Sequence, residues 1–272
     1  MSMLKSAVTT ASRLVDRVAP APSGVTILIY HRVGGGSSSA VDLDPALFDE
    51  QLALLANDFR VITLGAALDE LAVAPSSTAA SLPGVVLTFD DGTADFTDIA
   101  VPLLARHGLP ATLYAATEFI DTGDEFPWGA PPTSWSALRD ARSTGLIDVG
   151  SHTHTHRLLD RLDAGRVADD LQRSIDLIAD NVGTSPRDFA YPKAVPGSPA
   201  AEIEVRKRFR SAALASNRVN RGGHTDVHRL GRTPIQTSDT SDRFRAKARG
   251  GMRLEGELRS TAARLRYRRA TR

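Results

Sequence analysis

Short runs of apolar and β-branched residues alternate with helix-period segments along most of this 272-residue chain, and no other feature limits its fold so strongly. Val25 to Tyr30 reads as a strand and Pro45 to Asn57 as a helix. Further strands are predicted at Arg60 to Leu64, Val85 to Phe89, Thr112 to Ala116, Leu146 to Gly150, Asp188 to Tyr191, Ala212 to Ala215 and Leu230 to Gln236. Between them, Phe96, Ile99, Ala100, Leu103 and Leu104 recur at helical spacing, as do Val167, Leu171, Ile175 and Ile178. Alternating β and α units imply a parallel sheet covered by helices on its faces. About eight strands in a body of this length fit a closed or nearly closed barrel better than two small domains. In such a sheet the reactive groups sit at the C-terminal strand ends, where loops vary above a fixed scaffold.

The flanks differ from the body. Leu4, Ala7, Val8, Ala11, Leu14, Val15 and Val18 form one apolar stripe, and the run from Ala19 to Gly24 breaks it, so residues 1–24 read as an amphipathic helix and linker. The folded body is expected over 25–240. Residues 241–272 read as a basic tail, helical or disordered: from Arg243 onward 11 basic residues face 2 acidic ones, whereas the chain as a whole carries a formal charge of +1. That balance argues against a polycation built for nucleic acid, and no specific nucleic-acid partner is expected. An anionic membrane surface is the expected partner of the tail. No stretch approaches the ~18 apolar residues of a spanning helix, nor the apolar run of about 7 to 15 residues in a signal peptide. A cytoplasmic location, peripheral at the inner membrane face, is therefore expected. The chain has no cysteine, which leaves any metal site to His, Asp and Glu.

Three strand ends carry chemistry. Val85 to Phe89 stops abruptly in Asp90, Asp91 and Gly92, so two carboxylates share one strand end. Taken alone, this tripeptide also suits a helix cap and a turn. Gly150 to His156 packs three imidazoles, His152, His154 and His156, into five positions after another apolar strand. Two His four residues apart reach one cation, and with one carboxylate they leave coordination positions open, which favours catalysis over structure. His31 follows the first strand on the same rim and offers a further acid or base.

Read together, ILIYHRV (27–33), LTFDDG (87–92), GSHTHTH (150–156) and FAYP (189–192) resemble, in order, the signatures of the polysaccharide deacetylases, the carbohydrate esterase group with a NodB-like domain. The resemblance extends over Val25 to Gln236 and takes in FDEQL (48–52), FRVITL (59–64) and RLGRTPI (229–235). It implies a deformed (β/α) barrel and metal-dependent removal of acyl groups from N-acylated sugars. It implies Asp90 as general base, Asp91, His152 and His156 as ligands of a divalent metal, Zn²⁺ first with Co²⁺ or Ni²⁺ as alternatives, and Tyr191 and Pro192 as one wall of the groove. Ala190 stands where many members carry an Arg that pairs with the catalytic Asp, and Lys193 where an aromatic often stands, so Asp90 must be oriented from elsewhere. A branch resembling the poly-N-acetylglucosamine deacetylases begins with Tyr-His and supplies the general acid from that His, which implies His31 for this role with His228 in reserve.

The substrate expected is an N-acetylated glycan, exopolysaccharide, cell-wall or lipid-linked, with Trp128 and Trp135 available to stack on sugar faces. Two other classes fit the same residues. One is a metal-dependent amidase acting on a non-sugar amide, and the other a catalytically silent carbohydrate-binding module.

Overall fold

The computed structural model describes residues 22–73 and 83–258, together with Val8, Ala11, Ser12, Val15, Asp16, Val18 and Thr261. All strands run parallel. They are β1 (Val25–Tyr30), β2 (Arg60–Val61), β3 (Gly84–Asp91), β4 (Ala111–Ala115), β5 (Ile147–Ser151), β6 (Asp188–Ala190), β7 (Ser211–Ala215) and β8 (Leu230–Pro234). β1 bridges β3 and β8, which closes β1, β3, β4, β5, β6, β7 and β8 into a seven-stranded barrel. The two-residue β2 lies outside that ring, paired only with Gly84 and Val85 at the start of β3. The predicted closed or nearly closed (β/α) barrel is thus the observed one, with β2 shorter than its apolar pattern suggested.

Every residue of β1, β3 and β4 is buried, as continuous apolar strands require when helices cover one face and the barrel interior the other. Leu28, Tyr30, Leu87, Phe89, Leu113 and Val149 face outward into the main core, where Tyr30, Phe48, Phe89 and Phe96 pack ring against ring. The alternate residues Ile27, Val86, Tyr114, Ala213 and Leu230 form a second cluster with Leu64, Ala67 and Leu71 of the helix Leu64–Ala72. The same alternation carries Thr88, Asp90 and Arg232 onto that inner face, so polar groups stand inside the barrel.

Side-chain caps fix where helices begin above the sheet. Asp44, Thr63, Ser134, Asp163, Ser198 and Thr240 each accept a hydrogen bond from a backbone N–H in the first turn. The helix Ser241–Ala248 packs on the barrel through Phe244 and Ala248. Lys247, fully buried, donates to Asp239 Oδ2 at 2.6 Å and to the Pro234 carbonyl at 2.8 Å. Arg243 pairs with Asp239 and Glu255. Residues 262–272, with five arginines on which the membrane expectation rests, lie outside the described residues, as does most of the segment 1–21. Among the described residues no helix is long and apolar enough to cross a membrane.

Candidate active site

Strand register lays the sequence-predicted residues along one rim. Tyr30 pairs with Phe89 and Asp90 with Tyr114, so His31 and Asp90 fall on neighbouring strand ends. Asp91 pairs with Ala115, and Ala115 with Ser151, which puts His152 one step further along. The rim is held by backbone bonds: Ala116 N donates to the Asp91 carbonyl and His152 N to the Ala115 carbonyl, both at 2.9 Å. The loop after His31 is pinned in turn, because Val33 N donates to Asp95 Oδ2 at 2.5 Å and Gly34 and Gly35 donate to Asp42 Oδ1.

Asp91, His152 and His156 converge. His156 Nε2 stands 3.3 Å and His152 Nε2 3.6 Å from Asp91 Oδ1, and one ligand atom from each residue lies within 4.8 Å of the others. His152 Nδ1 lies 2.8 Å from the Ala190 carbonyl, so as an N–H it donates there and leaves the Nε2 lone pair aimed at Asp91. Burial, above all, pushes His152 down to about 4. Its ring is neutral at neutral pH and able to ligate. One carboxylate oxygen and two imidazole nitrogens are the donor set of a catalytic zinc site, and the residues present fit a divalent cation. Asp91 at φ 76° and His156 at φ 55° both hold left-handed backbone, as does Thr153 at φ 71°. Non-glycine residues in that region cost of order 1–3 kcal/mol each and persist where the surroundings over-determine them.

The determinants lie in the helix Ala164–Val182. Asp170, buried there, accepts from His154 N at 3.1 Å through Oδ2 and from Thr155 N at 3.0 Å through Oδ1. Thr153 Oγ1 accepts from His156 N at 2.9 Å, and Ser151 Oγ accepts from Thr153 N. His154 turns away from the cluster to share a hydrogen bond with Thr117 Oγ1 at 3.0 Å. Asp170→Ala releases both loop N–H groups, and the affinity for Zn²⁺ is expected to fall about 10–100-fold in a competing-chelator titration. Unchanged affinity would show that the loop holds itself.

No neighbour of Asp90 in the sequence orients its carboxylate. The structure supplies Arg232, from the inner face of β8: Nη1 donates to Asp90 Oδ1 at 2.6 Å and Nη2 to Asp90 Oδ2 at 2.8 Å. Nε donates to the Leu214 carbonyl, and Nη1 also reaches Thr88 Oγ1. Both partners of this fork are buried inside the barrel. Burial alone would raise the Asp90 carboxyl, but the Arg232 charge outweighs it and holds the group below the ordinary carboxylate range. The arginine missing from position 190 on β6 is replaced from β8, two strands away in the barrel. Its signal in the sequence is the single basic residue inside the apolar run from Leu230 to Ile235.

The remaining candidates separate. His31 follows β1 at the strand end next to that of Asp90, and its Nδ1 is buried without a hydrogen-bond partner. His228 precedes β8, on the opposite rim, and its Nε2 lies 2.8 Å from the Phe209 carbonyl. Trp128, 38% exposed, stacks on Phe126 with its ring centre 5.9 Å from that of His156, and so walls the site. Lys193 Nζ stands 4.6 Å above the Trp128 ring. Trp135 packs against the main core instead, and Tyr191 is buried edge-on against Phe189 rather than lining a groove.

A family model described as polysaccharide deacetylase matches residues 79–207, a span that holds Asp90, Asp91, His152 and His156. Over that span, a little under half of the chain, the protein is similar to the polysaccharide deacetylases. Among solved structures it is similar to IcaB from Ammonifex degensii, at 27% identity and a TM-score of 0.70, over 84% of this chain and 97% of that one. The deacetylase PplD from Streptococcus pyogenes, in complex with acetate, shares the fold at 19% identity and a TM-score of 0.73, over 84% and 99%. The BpsB deacetylase domain from Bordetella bronchiseptica does so at 21% and 0.63, over 79% and 98%. No curated protein matches the chain by sequence. His31 and Arg232 lie outside the span of the family model, one just past β1 and the other on β8, the two strands that pair to close the barrel.

Proposed function

We propose that this protein is a polysaccharide deacetylase that removes N-acetyl groups from a carbohydrate in a metal-dependent hydrolysis. The observation that carries the reading is the convergence of Asp91, His152 and His156 beside Asp90, whose carboxylate is gripped by Arg232. Asp91, His152 and His156 would hold a divalent cation, Zn²⁺ or in its place Co²⁺ or Ni²⁺, which supplies Lewis acidity toward an amide oxygen and lowers the pKa of a water. Asp90, ionised at neutral pH, is the base that takes the proton of the attacking water. His31, protonated, donates to the departing nitrogen, since expelling an unprotonated amide anion is far harder. Trp128 offers an aromatic surface to the sugar beside the reacting bond.

The match to a family model described as polysaccharide deacetylase supports an N-acetylated glycan as substrate more than a non-sugar amide. Acetate release from an N-acetylglucosamine oligomer tests the reading, with the protein stripped by chelator and re-supplied with Zn²⁺ or Co²⁺. Release that vanishes on stripping and returns with metal is the expected result. Release that survives stripping would sink the metal dependence, and metal binding with no release from any N-acylated sugar would move the reading to another amide. In the same assay His31→Ala is expected to lose turnover by about 10²–10⁴-fold. His228→Ala, on the far rim, should retain it, and the reverse pattern would reassign the acid.

A further inference from the structure

The loop that carries His152 and His156 has a second side. Between it and the helix Ala164–Val182 lies a pocket of about 310 Å³, lined by His154, Thr155, Arg157, Leu162, Arg166 and Arg173 together with Asp169 and Asp170. That volume is at the lower end of small-molecule sites. None of its residues belongs to the cluster of Asp90, Asp91, His152 and His156.

The guanidinium groups of Arg157, Arg166 and Arg173 line this pocket with the carboxylates of Asp169 and Asp170. Asp170 turns both oxygens onto loop N–H groups. Arg157 has no carboxylate within ion-pair distance among the described residues. Arg166 and Arg173, two turns apart and so on one face of the helix, reach Asp163 at 3.3 Å and Asp121 at 3.5 Å through exposed pairs. Exposed pairs of this kind hold their partners weakly and exchange readily for a better anion. The Thr155 hydroxyl, on the same wall, is buried without a hydrogen-bond partner. Leu162 adds an apolar surface next to the charges.

We propose that this pocket binds a phosphate monoester carried on a small polar molecule the size of one sugar. Guanidinium forks match phosphate oxygens two at a time. The space beyond the phosphate takes the organic part, with Leu162 against its apolar edge. Occupancy braces the back of the loop whose front holds His152 and His156. The site does not depend on the deacetylase reading, because binding is measured directly.

The test is calorimetric titration of glucose 6-phosphate, and separately of inorganic phosphate, into the full chain after chelator treatment. Glucose 6-phosphate should bind saturably and more tightly than inorganic phosphate. Arg157→Ala/Arg173→Ala should weaken it at least tenfold, and since both side chains are exposed this variant keeps its melting temperature. His152→Ala controls for anions held at the cluster of Asp91, His152 and His156, and should leave the affinity unchanged. Absence of saturable binding, equal affinity in the double arginine variant, or loss in His152→Ala would overturn the proposal. Inorganic phosphate binding as tightly as glucose 6-phosphate would overturn the organic part of the assignment.

Discussion

Asp90→Asn is expected to lower acetate release by about 10²–10⁴-fold while the protein still binds metal, the size of effect that removal of a positioned general base produces. The amide keeps the shape of the carboxylate and loses its basicity. It also turns an N–H₂ toward one arm of the Arg232 fork, where the carboxylate had offered a second acceptor. Some stability is therefore lost as well, and the assay belongs well below the melting temperature of the variant. Asp91, His152 and His156 are untouched, so affinity for Zn²⁺ should change by less than tenfold. Asp91→Asn divides the effect the other way, because the carboxylate that stands 3.3 Å from His156 Nε2 is the one it removes, and there metal affinity falls first. Full activity in Asp90→Asn would mean that another group takes the proton.

The barrel was legible because its signal is local. Continuous apolar runs such as Val25 to Tyr30 and Gly84 to Phe89 are buried on both faces, and the helices between them carry caps and 3.6-residue periodicity of their own. The cluster was legible for a similar reason: Asp90 and Asp91 are adjacent, and His152 and His156 are four residues apart, so two short stretches hold the whole donor set. Arg232 was not legible. It meets Asp90 across 142 residues of chain, and only the closure of β8 onto β1 brings them together. Tyr191 does not line a groove as its motif implies, because a motif does not show which way a side chain turns; here it packs with Phe189 and Phe209. His228 and His31 look alike in sequence, and separate only when the strands fix which rim each occupies.

Arg232→Met should cost the fold more than any other single change at the site. The substitution leaves Asp90 ionised inside the barrel with neither arm of its fork, and breaking a buried pair from one side typically costs about 3–5 kcal/mol. For a chain of this size that is a fall in Tm on the order of 10 °C. The pH dependence has a definite sign. In the wild-type protein the folded Asp90 carboxyl lies below its unfolded value, so its pairing contributes stability above the ordinary carboxylate pKa of about 4 and loses it as the pH falls through the folded value. In Arg232→Met burial wins, the carboxyl rises, and protonation relieves the folded state. The gap in Tm between the two proteins should accordingly narrow as the pH is taken from 7 toward 4, measured on chelator-treated samples so that metal loss does not enter. Arg232→Lys keeps a charge but has no fork, and should recover part of the stability while acetate release stays depressed, because a single ammonium cannot fix both carboxylate oxygens. A gap that is constant with pH would mean that Arg232 contributes packing and not charge. Equal activity in Arg232→Lys and wild type would mean that the orientation of Asp90 does not limit turnover, and Arg232 would then be a structural residue instead of a positioning one.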